Sequence, residues 1–137
     1  MTDSSDIFEW PIRVYYEDTD AQGVVYYANY FRFLERARTE WLRSLGVDQR
    51  ELMAVERRIF VVTKTEADFL ASARFNDELI VTAQLIGLSR ATFTIGQDIY
   101  VKDEARTHCV RSTVVAAYLD ADSHKPKRVP PDLFSPS

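Results

Sequence analysis

The chain has 137 residues, 46% of them hydrophobic and 28% charged, which fits one folded domain and excludes a disordered polymer. Its formal charge of −4 argues against a nucleic-acid surface, which needs Lys and Arg to neutralise phosphates. A single cysteine, Cys109, fits a reducing compartment, and with no apolar run of membrane-spanning length and a polar start, the expected location is the cytoplasm with neither span nor signal peptide.

Residues 1–9 read as a flexible lead-in, residues 10–131 as one domain and residues 132–137 as a tail. Residues 10–16 (WPIRVYY) are rich in β-formers, with Pro11 tolerable only at a strand start or edge. A helix is expected over residues 28–45. Tyr30, Phe31, Leu34, Ala37, Trp41, Leu42 and Leu45 make an apolar stripe of helical period, with Glu35–Arg38 and Arg36–Glu40 as outer charge pairs. Asn29 is a candidate N-cap and Gly46 a candidate left-handed C-cap. After a polar connection, strands are expected over residues 59–70, 79–88, 91–101 and 106–119, with short turns that make the last ones consecutive and antiparallel. The proline-bearing segment from Asp120 reads as irregular and partly mobile. One strand, one long helix and four further strands is an α+β pattern, with the helix laid across one sheet face. Ile95, Ile99 and Val101 are expected on the other face or edge, where homo-oligomerisation would bury them.

Three acids, Glu17, Asp18 and Asp20, crowd the segment before Gly23, and the run VVYYANY then leads into the helix. Such acids often form only a solvated turn. A calcium loop starting at Asp18 fails, because its twelfth position is Asn29 where a bidentate Glu is required. Another metal site lacks ligands, since the chain has only His108 and His124, no H-E-x-x-H and no C-x-x-C. A catalytic carboxylate is the remaining reading: crowding beneath Tyr15, Tyr16, Tyr26 and Tyr27 would suit a base or nucleophile facing the polar N–H end of a helix.

The segment R-V-x4-T-D-x2-G-V-V-Y-Y-A-N-Y, from Arg13 to Tyr30, closely resembles the signature of the 4-hydroxybenzoyl-CoA thioesterase family, whose YbgC-like acyl-CoA thioesterase branch, often encoded with the Tol–Pal system, is nearest. FLERARTEWLRSLG, LASARFNDELIV and LSRATFTIGQDIYV continue the resemblance over residues 12–131. It implies a hot-dog fold, a five-stranded antiparallel sheet wrapped around the long helix. It also implies homodimers with active sites at the subunit interface, often paired into homotetramers. The family's catalytic aspartate matches Asp20, and its oxyanion-binding helix amide matches Tyr27. Gly23, Val25, Tyr26 and Asn29 then line the substrate site, and Ser89, Arg90 and Thr92 fall where the family contacts CoA. One departure is that the YbgC branch commonly has His where this chain has Tyr27, whereas the hydroxybenzoyl-CoA branch has Tyr.

The resemblance implies hydrolysis of a short-chain or aromatic acyl-CoA. Helix N-terminal amides would hold the thioester oxygen, and Asp20 would act as nucleophile or general base, without cofactor or metal. There is no G-x-S-x-G elbow and no Cys–His pair. Glu17 and Asp18 are read as solvent-facing or hydrogen-bonded supports, and His108 as a packed or partly exposed strand residue. His124, Lys125, Lys127 and Arg128 form a basic cluster read first as a solvated tail, with a nucleotide phosphate or an anionic acyl carrier protein as the lesser alternative. Two alternatives are a hot-dog enoyl hydratase, for which the motif offers no nearby His, and a non-catalytic module binding acyl carrier protein or phospholipid-synthesis partners.

Overall fold

The computed structural model describes residues 6–135. Five strands form one antiparallel sheet: β1 (Phe8–Arg13), β2 (Arg58–Phe69), β3 (Glu78–Leu88), β4 (Thr92–Val101) and β5 (His108–Asp120), in the order β1-β3-β4-β5-β2. The helix α1 (Tyr27–Ser44) packs its apolar stripe on one face of this sheet, as the hot-dog resemblance implies. Tyr30, Phe33, Leu34 and Ala37 meet Val81, Ile99 and Val110 at one end of the core. At the other end, Trp41 and Leu42 meet Ala83, Phe93, Ile95 and Ala116.

The helix ends in a Schellman motif: Gly46 adopts φ +87, its N–H donates to Arg43 O at 3.0 Å, and Val47 N–H donates to Leu42 O at 2.9 Å. Its start differs from expectation. Tyr26 is the N-cap residue and Asn29 lies inside the first turn, with its side chain directed back to the acidic segment. Of the expected charge pairs, Arg38 instead turns inward to donate to Gln97 Oε1 at 3.0 Å, and Glu40 pairs with Arg43 at 2.7 Å. Gln97 is fully buried and also donates to Leu34 O and Thr82 O, tying α1 to the sheet; burial holds the Arg38 guanidinium below its ordinary pKa.

Three further expectations are corrected. Strand β1 begins at Phe8 and gives way at Tyr16–Asp18 to a tight helical turn, because Phe8, Trp10 and Ile12 already pack inward. Residues 1–5 and 136–137, assigned to lead-in and tail, lie outside the described residues. Ile95 and Ile99 face the helix at 1% and 0% exposure, and Val101 packs against the same core; the alternation puts Thr94, Asp98 and Tyr100 on the outer face instead. The segment after β5 is anchored: Val129 is buried, and Phe134 packs on Trp41 and Phe93 with centroids 5.6 and 4.7 Å apart. Its prolines prevent a further ladder, but its apolar side chains cover the open end of the core.

Candidate active site

The acidic segment is a closed hairpin. Asp20 N–H donates to Val24 O at 2.9 Å and Gly23 N–H to Asp20 O at 3.0 Å, which requires the left-handed φ of +80 at Gly23. The Asp20 carboxylate accepts Gln22 N–H at 2.8 Å and Val24 N–H at 3.4 Å, both on Oδ1. The hairpin is pinned by Val25 N–H to Ala73 O at 2.9 Å and Phe75 N–H to Gly23 O at 3.0 Å. Ala73 N–H in turn donates to the Tyr30 hydroxyl at 2.9 Å, so one short segment, residues 73–75, clamps the hairpin to the first turns of α1. Burial raises the Tyr30 pKa, which keeps that hydroxyl neutral.

Some N–H groups of this corner are already taken. Val25 N–H is consumed by Ala73 and Asn29 N–H donates to Tyr26 O at 3.0 Å. Tyr27 is the first helical residue, its N–H has no intrahelical partner, and no side chain caps this end. The N–H groups at positions 27 and 28 therefore have no intrahelical acceptor. The Tyr27 ring lies over Phe69 of β2 with centroids 4.8 Å apart, and Phe31 and Tyr30 also contact Phe69. Phe69, not singled out from sequence, is the aromatic floor beside the helix start; its place is set by β2 running past α1.

The expected burial of Asp20 under four tyrosines is not what the fold produces. Tyr15, Tyr16, Tyr26 and Tyr27 are 62, 79, 38 and 69% exposed, and Asp20 is exposed. Asp18 is the buried carboxylate, at 8%, bonded to Asn29 and to the Tyr15 N–H. Of the other expected site residues, Val25 is core at 3% exposure, so only its backbone faces the hairpin, while Gly23 forms the turn and Tyr26 precedes the helix. A cleft of about 440 Å³ beside the hairpin is lined by Arg13, Tyr15, Tyr16, Phe75 and Asn76.

Ser89, Arg90 and Thr92 are not brought to Asp20 within one chain. They sit at the β3–β4 turn, where Ser89 N–H donates to Thr92 O at 2.9 Å, and β3 alone spans about 33 Å from the Asp20 end at 3.3 Å per residue. There Ser89 and Arg90 line a second cleft of about 420 Å³ with Leu88, Arg128, Val129 and Pro131, so Arg128 of the basic cluster joins Arg90. His108 is half-buried on the outer face of the sheet, 2.8 Å from Asp98. Among the described residues, no group of three or more His, Cys, Asp or Glu is placed to hold a metal ion, and no helix is long and apolar enough to cross a membrane.

Residues 14–135 match the sequence model of the thioesterase-like superfamily. Over 132 residues, covering 96% of both chains, the protein is 38% identical to the acyl-CoA thioester hydrolase YbgC of Escherichia coli O6:H1. The chain belongs to the thioesterase-like superfamily. A solved superfamily structure, a probable thioesterase from Bartonella henselae, is 33% identical and superposes with a TM-score of 0.84, covering 91% of this chain and 100% of that one. The 4-hydroxybenzoyl CoA thioesterase of Pseudomonas sp. strain CBS-3 is only 19% identical, yet its TM-score is 0.86 over 93% of this chain and 96% of that one, so the two share the superfamily's hot-dog fold.

Proposed function

We propose that the protein hydrolyses the thioester of a short-chain or aromatic acyl-CoA, with Asp20 as the reacting carboxylate and the Tyr27 N–H as oxyanion donor. The observation that carries this reading is the clamped corner in which the Asp20 hairpin and the uncapped start of α1 share the 73–75 segment. A thioester oxygen on the helix N–H groups would be stabilised as it gains charge, by dipoles already fixed in place. Asp20 attacks the acyl carbon to give an anhydride that water cleaves, or draws the proton from an attacking water. Either route consumes one water and yields a carboxylate and the CoA thiol. The relatives named as acyl-CoA thioester hydrolases support the substrate class.

The site is completed by a second copy of the chain. Strand β2 is a sheet edge of 12 residues, with Val61, Val62 and Phe69 at 36, 45 and 40% exposure. Arg58 pairs with Asp120 while Phe69 pairs with Val110, so Arg58 shares a sheet end with Leu88 and Thr92, and Phe69 shares the other with Asp20 and Tyr27. Antiparallel pairing of β2 with β2 of a partner would therefore bring one protomer's Asp20 end to the other's Ser89, Arg90, Thr92 and Arg128. The Arg90 and Arg128 cations suit the CoA phosphates, with Gly23 and Tyr26 nearest the thioester and the buried Val25 and Asn29 supporting that wall from beneath. Dimers of this kind can pair into tetramers.

The test is thiol release by the wild-type protein from acetyl-, butyryl-, hexanoyl-, palmitoyl-, benzoyl- and 4-hydroxybenzoyl-CoA, with sedimentation giving the oligomeric state. Turnover of a short or aromatic member by a dimer or tetramer is expected. An active monomer would refute the composite site. Inertness toward every CoA ester, with hydrolysis of the same acyl groups on acyl carrier protein, would move the substrate class to the carrier.

A further inference from the structure

The buried contact between Asp18 and Asn29 links the two halves of the proposed site. Asp18 is 8% and Asn29 1% exposed, and the Asn29 amide donates from Nδ2 to Asp18 Oδ1 at 2.7 Å. The second Asp18 oxygen accepts the Tyr15 N–H at 2.8 Å. Among the described residues this is the one side-chain hydrogen bond recorded between the acidic segment and the first turn of α1. Asp18 lies two residues before Asp20 and Asn29 two residues after Tyr27, so the bond joins the backbone on which both reacting groups are mounted.

The contact also carries an internal cost. Turning the Asn29 amide toward Asp18 leaves its Oδ1 buried with no hydrogen-bond partner. Reversing the amide would set oxygen against carboxylate, so the orientation is fixed by charge. An unpaired buried acceptor is destabilising. A leucine or alanine at this core-facing position would avoid that cost, but would leave the buried Asp18 Oδ1 without its donor. A buried carboxylate beside a helix N-terminus is favoured by the helix dipole, which tightens the hold on the loop.

We infer that Asp18 and Asn29 are a positioning pair that sets the separation between the Asp20 carboxylate and the Tyr27 N–H. This rests on the proposed hydrolysis for its kinetic consequence, though not for its geometry. In catalytic sites a misplacement of about 1 Å can cost about 100-fold in rate.

The experiment is a double-mutant cycle of Asp18→Asn and Asn29→Ala, with kcat, KM and thermal stability measured for each variant. Each single variant is expected to lose about 100-fold in kcat with little change in KM, and the double variant to be no slower than the slower single. Losses that multiply, or a fall in stability with kcat unchanged, would overturn the inference. If Asn29→Ala fails to fold, Asn29→Ser, closer in polarity, takes its place in the cycle. Crystal structures of wild type and the Asn29 variant supply a readout that needs no turnover. An Asp20-to-Tyr27 separation changed by about 1 Å supports the pair even if the wild type proves inert on every thioester, an outcome that would sink the hydrolysis reading instead. An unchanged separation overturns the pair.

Discussion

Replacing Tyr27 by proline removes one N–H and little else. Proline is favoured at the first position of a helix, where its fixed φ is already helical and the lost N–H has no intrahelical acceptor. The preceding residue must be extended, and Tyr26 is, at φ −80 and ψ 152. The side chain lost is 69% exposed, and its contact with Phe69 at 4.8 Å is worth about 0.5–1.5 kcal/mol. Tyr27→Ala removes that ring while keeping the N–H, so the ratio of the two variants isolates the donor. Loss of one oxyanion donor costs about 10²–10³ in kcat, equivalent to about 2.7–4 kcal/mol of transition-state stabilisation. The expectation is that Tyr27→Pro turns over about 10²–10³ more slowly than Tyr27→Ala, with the same helical circular dichroism and oligomeric state. The assay is continuous thiol release from the best acyl-CoA. Similar rates for the two variants would refute the assignment of the Tyr27 N–H.

Four other outcomes follow from the packing. Tyr30→Phe leaves the buried Ala73 N–H without its 2.9 Å acceptor and should cost about 1–3 kcal/mol in urea unfolding, with lower kcat as the clamp on the hairpin loosens. Cys109 is fully buried and its thiol is pushed up to about 11 by burial, so an aromatic disulfide reagent at mildly alkaline pH should label it only after denaturation. Because the unfolded thiol ionises near its ordinary 9.0 and the folded one near 11, Cys109 costs no stability below pH 9, and stability falls as pH rises through that window, read as a declining Tm. Phe134→Ala should cost about 2 kcal/mol, below the 3–5 of a fully buried Phe, and change the tryptophan emission through loss of the Trp41 stack.

Periodicity located the long elements because they are amphipathic. The helix stripe and the Gly46 stop were readable to within a residue or so, and each strand from 59 onward was found near its observed bounds. What escaped depended on partners distant in sequence. The facing of Ile95 and Ile99 follows from where α1 lies, which no local pattern states. Phe134 and Val129 are anchored by a core end built from Trp41, Phe93 and Tyr118, so a proline-bearing segment that looked loose is packed. In the motif, residue types point to a candidate site but not to its burial order. Asp18 and Asp20 differ by one inward turn of the chain, and that turn buries the supporting acid and exposes the proposed reacting one. The signal for Asp18 was an amide donor eleven residues on, at Asn29, which sequence alone read as a cap.

The central claim is that the Asp20 carboxylate performs thioester hydrolysis, and Asp20→Asn tests it most directly. Asn keeps the shape and an acceptor for the Gln22 N–H, so the hairpin should fold unchanged. Thiol release from the best acyl-CoA, measured for both proteins with matched circular dichroism and sedimentation, should fall by about 10²–10⁴ in the variant. Turnover that survives the substitution would contradict the account and remove Asp20 from the mechanism.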